Sequence, residues 1–156
     1  ERTRSGMGQV IDCAMVDGAA LVLGPFFAAI GGGGWGPRGT NHLDGGAHFY
    51  NVYETADGRW IAVGAIEEPF YAAFLAGLGL DDDGRQWDRA GWPAWKRRVA
   101  EVVRTRTRDE WTDVFHGTDA CVTPVLAADE AKRKKTAAKK ADAAKKPAPA
   151  AEKAEE

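Results

Sequence analysis

The stretch "HFYNVYETADGRWIAVGAI", His48 to Ile66, limits the fold of this chain more than any other feature. Phe49, Asn51 and Tyr53 alternate with Tyr50, Val52 and Glu54, which is the period of a strand with one buried face. Asp57-Gly58 follows as a turn pair that tolerates positive φ. Trp60 to Ile66 then return as a second strand.

Helices follow downstream. "EEPFYAAFLAGLGL" reads as a helix with Pro69 in its first turn, where a missing N–H costs little, and with Phe70, Phe74, Leu75 and Leu78 as an apolar stripe. Pro93 to Arg106 is amphipathic, with Trp95, Val99, Val102 and Val103 on one face. Thr107 and Glu110 form a T-x-x-E capping box for a helix carrying Trp111, Val114 and Phe115, which Gly117 closes. "ACVTPVL" is a short apolar run whose Pro124 confines it to an edge strand or extended segment. The six tryptophans are core or interface material, and of them Trp87, Trp92 and Trp95, clustered in one stretch, suit a surface covered by a partner. Upstream, Val10, Ile11 and Cys13 suggest a short strand. Ala19 to Ile30 is apolar on all sides and reads as a buried helix kinked at Gly24-Pro25. Gly31 to Gly34 end it, and "GGGGWG" lacks the Lys-Ser/Thr of a phosphate loop, so it reads as a connector.

Charge is unevenly distributed. The net charge of −2 over 156 residues combines an acidic body, residues 1–130 with twelve Lys/Arg against nineteen Asp/Glu, and a basic end, residues 131–156 with nine against four. From Ala131 no aromatic or large aliphatic residue occurs, so the low-complexity tail is expected to be disordered, with weak polyanion contact as a side property. The two cysteines, Cys13 and Cys121, are far apart and have no CxxC spacing. They fit a reducing compartment rather than a disulfide framework. The longest apolar run is shorter than the roughly 20 residues that cross a bilayer, and no charged-then-apolar leader is visible. The expectation is a soluble, cytoplasmic chain without membrane contact.

Few residues offer chemistry. Glu67 and Glu68, in "VGAIEEPFY", admit two readings. Acids at a helix start are stabilised by the exposed N–H groups and the helix dipole. Alternatively Glu67, directly after the apolar run Val63 to Ile66, sits partly desolvated at a cleft mouth and handles or tunes a proton. His42 and His48 flank "LDGGA" with no third ligand at metal spacing, so no metal is expected. His116, near a helix end, suits a capping role.

Several phrases together, "GQVIDCAMVDG", "GGAHFYNVYETADGRWIAVGAIEEPFY", "GLGL" and "TRDEWTDVFHGTDACVTPVL", resemble the carboxyl-terminal half of the third family of CoA transferases (CaiB/BaiF type). Its racemase branch, the α-methylacyl-CoA racemases, is the most similar. The resemblance runs in order from about Arg2 to Leu126. It implies an α/β fold in which two chains interlock as a homodimer. Residues 1–30 would be a strand and linking helix from the large domain, residues 31–126 the small domain, and residues 127–156 the disordered basic tail. It implies an isomerase activity, 1,1-proton transfer at the α-carbon of 2-methyl-branched acyl-CoA thioesters, with no cofactor beyond the CoA carried by the substrate. It places at Glu67 the glutamate that supports a catalytic histidine across the subunit boundary. The proline that usually follows that glutamate stands one place later here, displaced by Glu68. The catalytic histidine and aspartate and the CoA-gripping segment would lie upstream, since His42, His48 and His116 match no family motif for that role. The chain by itself is therefore expected to be inactive. A CoA transferase of the same family, and a non-catalytic interaction module with a polyanion-binding tail, are the alternatives.

Overall fold

The computed structural model describes residues 2–133. The expected hairpin forms. β1 (Tyr50–Glu54) pairs antiparallel with β2 (Trp60–Gly64), in a register that sets Tyr50 against Gly64 and Glu54 against Trp60. At its tip the Thr55 N–H donates to the Arg59 carbonyl, and Gly58 takes φ +70°, a value that glycine adopts without steric cost. The tip is also tied to the body: the Ala56 N–H donates to the Arg106 carbonyl, and the Arg108 N–H donates to Asp57 Oδ1 at 3.1 Å. β3 (Val122–Pro124) pairs antiparallel with the other side of β2, giving the sheet order β1-β2-β3. Pro124 thus stands on an edge, where its missing donor is tolerated.

Three helices cover one face of this sheet: α4 (Glu68–Leu78), α5 (Trp92–Val103) and α6 (Arg108–Phe115). Their boundaries follow from local chemistry. α4 carries Pro69 in its first turn and stops at Gly79, which takes φ +69° so that the Leu80 N–H reaches the Leu75 carbonyl. α6 starts at the expected capping box: the Glu110 N–H donates to Thr107 Oγ1, and the Thr107 N–H donates to Glu110 Oε2. Tyr53, Ile61 and Val63 of the sheet meet Phe74, Leu75, Trp95, Val99, Val103, Trp111 and Phe115 in one buried core. The result is a two-layer α/β unit, in the fold class that the family resemblance implies. Gly77 marks the tightest approach of α4 to α6, because a Cβ there would lie 2.3 Å from the Phe115 ring. Gly77→Ala should therefore destabilise the chain by about 2 kcal/mol, read as a lower denaturant midpoint. An unchanged midpoint would mean that the Phe115 ring moves aside freely.

Three expectations need correction. Residues 7–14 form no strand, and Val10 is 99% exposed. A strand requires a hydrogen-bonding neighbour, and among the described residues this segment has none. The kink at Gly24-Pro25 is present, as a break at Leu23 between α2 (Met15–Val22) and α3 (Gly24–Gly31), but these helices bury no residue. Apolar composition measures what a segment gains from burial; it does not supply the covering surface. Thirdly, Trp92 and Trp95 belong to the core rather than to a partner-facing patch, and of that cluster only Trp87 is exposed.

A short helix over residues 2–5, α1 (Arg2–Ser5), precedes these elements. At the other end the beginning of the low-complexity stretch is ordered: residues 128–133 are helical. Glu130 docks there on the buried Arg108 guanidinium through two bonds of 2.9 Å, and its Oε2 accepts the Ala127 N–H. These contacts, the Arg108 bonds foremost, hold its carboxyl at about 2, well below the usual carboxylate range. The remaining tail, to which the expected disorder and polyanion contact were assigned, lies outside the described residues.

Candidate functional site

Glu67 sits at the elbow between β2 and α4. The Ala65 N–H still donates to the Phe49 carbonyl, so the sheet extends one residue past β2 before the chain turns. The side-chain amide of Gln86 then donates to the carbonyls of Ala65 (3.2 Å) and Ile66 (2.8 Å), and Trp92 Nε1 donates to the Gln86 carbonyl at 2.8 Å. The Tyr71 N–H accepts its place in the helix by donating to the Glu67 carbonyl at 2.9 Å. Glu67 is thus the N-cap residue of α4, with extended φ −75° and ψ 144°.

Its carboxylate does not cap. A capping side chain accepts from the second or third helical N–H. Pro69, the second residue, has none to give, and a glutamate is one methylene longer than the aspartate that favours this position. The Glu67 side chain is exposed and makes no hydrogen bond or ion pair among the described residues. The expected partial burial of Glu67 is not seen among the described residues. Glu68 occupies the first turn of α4 and is exposed, as a helix-start acid should be.

Gln86 is the element that sequence reading missed. A polar residue in "DDDGRQWDRAG" carries no periodic signal, and only its 8% exposure and its two carbonyl partners reveal that it fixes the elbow. Gln86→Leu should cost about 1–2 kcal/mol by orphaning those carbonyls, read as a lower thermal midpoint. Retained stability would show that water replaces the amide without loss.

The sheet face away from the core carries an open hollow of about 520 Å³. Tyr50, Val52, Ala62, Gly64, Cys121 and Thr123 line it. Gly64, at one end, precedes Glu67 by three residues. Cys121 and Cys13 are both exposed free thiols.

The histidines go to separate surroundings. His42 meets Trp35 and Trp87 edge-on. His48 is fully buried, stacked on Trp95, with Nε2 2.8 Å from the Tyr71 hydroxyl and with Nδ1 lacking any partner among the described residues. Burial holds its pKa down at about 4, and the charges of Asp83 and Asp82 only partly oppose that shift. An imidazole so placed is a core residue, not an exposed base. His116 is the C-cap of α6. Among the described residues no group of three or more His, Cys, Asp or Glu side chains could hold a metal ion, and no helix is long and apolar enough to cross a membrane.

The model of the family described as CoA-transferase family III matches residues 1–154. This chain belongs to CoA-transferase family III. The match continues past Leu126, where the motif resemblance stops, into the basic tail. Alpha-methylacyl-CoA racemase of Mus musculus is 52% identical over 134 residues, which cover 84% of this chain. The Homo sapiens protein of the same name is 48% identical over 133 residues, covering 83%. A CaiB/baiF CoA-transferase family protein of Caenorhabditis elegans is 31% identical over 125 residues, covering 78%. In each case the alignment spans 35% of the relative, so the chain matches about a third of the length of these family members.

Proposed function

We propose that this chain is the small-domain portion of an acyl-CoA racemase, with Glu67 as a positioning residue for a histidine supplied by the amino-terminal half of a neighbouring subunit. Residues 31–126 form the small domain in this reading, and residues 1–30 belong to the large domain of an interlocked homodimer in the cytoplasm. The observation that carries it is an unspent carboxylate at a pinned elbow. Glu67 stands at an N-cap but caps nothing, while Gln86 fixes the backbone on either side of its origin. Identity of about one half to two proteins named racemases supports the activity.

The reaction is transfer of the proton on the carbon between the thioester carbonyl and the methyl branch of a 2-methylacyl-CoA. One base removes it, leaving an enolate, and an acid returns it to the opposite face. Glu67 does neither. Ionised, it raises the pKa of the histidine and fixes the tautomer, so that the ring nitrogen facing the substrate is the basic one. This reading assigns no metal and no organic cofactor to the chain. The exposed apolar helices α2 and α3 are consistent with docking against a domain outside it.

Because the acid and base lie upstream, the chain by itself should not exchange the α-hydrogen of 2-methylacyl-CoA with deuterium oxide, as followed by mass spectrometry. Exchange by the isolated chain would overturn the assignment of the catalytic pair to the missing half. The family model and the Caenorhabditis elegans relative, whose name is that of the transferase family, favour a second reading as a CoA transferase. An upstream aspartate nucleophile would then form a mixed anhydride, and hydroxylamine trapping of that intermediate separates the two.

A further inference from the structure

A notch of about 530 Å³ lies between the loop over residues 39–46 and the first turns of α5. Gly39, Thr40, Arg89, Pro93, Lys96 and Arg97 contribute to its wall. We propose that this notch is a phosphate-binding site, in which Arg89, Lys96 and Arg97 hold a phosphate or diphosphate group of a small molecule.

The walls are braced by hydrogen bonds and close packing within the chain. Asn41 is fully buried and its amide donates to Asp44 Oδ2 at 2.7 Å and to the carbonyls of Gly36 and Pro37 at 3.1 Å. Gly46 closes the loop so tightly that a Cβ there would lie 2.4 Å from the Thr40 carbonyl carbon. On the other side stands α5, held by Trp92, Trp95 and Val99 in the core. Two of the cations are held through their charged ends by backbone carbonyls. Lys96 Nζ donates to the Gly45 carbonyl at 2.6 Å, and an Arg89 terminal nitrogen donates to the Gly34 carbonyl at 2.8 Å. Each keeps further N–H donors, and Arg97 is exposed.

The charge is not cancelled from within. No carboxylate lines the notch, and none of its three cations pairs with an Asp or Glu among the described residues. The carboxylate of the adjoining loop, Asp44, spends its oxygens on the N–H groups of Gly39, Asn41 and Gly46 and on the Asn41 amide. Three positive groups around one hollow, on a body whose residues 1–130 are net acidic, suit a dianion with several acceptor oxygens better than a single carboxylate. The volume admits a group of nucleoside diphosphate size.

The proposal stands apart from the racemase reading, because free phosphates and the phosphates of a CoA thioester share the chemistry. Calorimetric titration of the full 156-residue chain with pyrophosphate and, separately, with CoA tests it. Saturable binding of either is expected, weakened about tenfold by Arg97→Glu and less by Arg97→Gln. Among the described residues Arg97 makes no hydrogen bond or ion pair that these changes would break, and an unchanged circular dichroism spectrum checks the fold. Tighter binding of CoA than of pyrophosphate assigns the site to a thioester's phosphates; equal affinity assigns it to free phosphate. Absence of saturable binding overturns the proposal. So does binding that Arg97→Glu leaves unaltered, which would move the contact to the lysines of the tail.

Discussion

On the proposed racemase reading, in a protein that joins this chain to the portion supplying the histidine, Glu67→Gln is expected to lower kcat/KM for 2-methylacyl-CoA racemisation about 100-fold. That corresponds to about 2.7 kcal/mol of lost transition-state stabilisation. The substitution keeps size and hydrogen-bonding capacity and removes only the charge. A neutral amide still orients an imidazole, but it no longer favours the protonated ring, so the basicity of the histidine falls. The limb of the pH profile that reports this histidine should therefore move to lower pH, by about one unit. A purely structural role would not shift it. Folding of the chain by itself gives the control: Glu67 is exposed there and makes no bond among the described residues, so the unfolding midpoint of that chain should be unchanged. Wild-type kcat/KM in the Gln variant, with an unmoved profile, would remove Glu67 from the mechanism.

Acid should destabilise this chain well before its carboxylates titrate. His48 is neutral and buried between Trp95, Phe49 and Tyr71, and one ring nitrogen has no partner. Its pKa in the folded chain is about 4, against 6.5 for a free imidazole. Protonation is thus easier in the unfolded chain. The stability contributed by keeping the ring neutral is complete above pH 6.5 and declines as pH falls from there to about 4, below which the loss is saturated. The whole decline is about 3 kcal/mol. Glu130, held near 2 by Arg108, gives a separate loss at lower pH, as pH falls from the ordinary glutamate value of 4.5 to about 2. His48→Phe preserves an aromatic ring against Trp95 and orphans the Tyr71 hydroxyl, which costs about 1 kcal/mol at neutral pH. Its urea midpoint should then be flat from pH 6.5 to 5. Parallel declines in the two proteins over that interval would mean that another group carries the effect.

Much of the site was readable because its determinants are short-range. Asp57-Gly58 between two alternating runs specifies the hairpin, and Pro69 with Gly79 delimits α4. That combination places Glu67 at the joint between strand and helix. What the acid does there was not readable. Gln86 lies about twenty residues away in a polar loop, and nothing in its neighbours signals that it grips the carbonyls before Glu67. His48 was equally opaque: its sequence context as a possible ligand is the same whether the ring faces solvent or Trp95.

Periodicity, turn pairs and caps are properties of a few adjacent residues, so the sequence alone determined the hairpin, the three helices after it, the edge position of Pro124 and the break before Gly24-Pro25. Pairing and cover are properties of residues distant in the chain. For that reason only the tertiary structure decided that residues 7–14 stay unpaired, that α2 and α3 lie open, and that Trp92 and Trp95 turn inward. The same holds for Glu130, which docks on Arg108 although its neighbourhood reads as featureless tail. A local rule fixes the dihedral angles of a segment; the free energy of burying it depends on a surface that the segment does not itself contain.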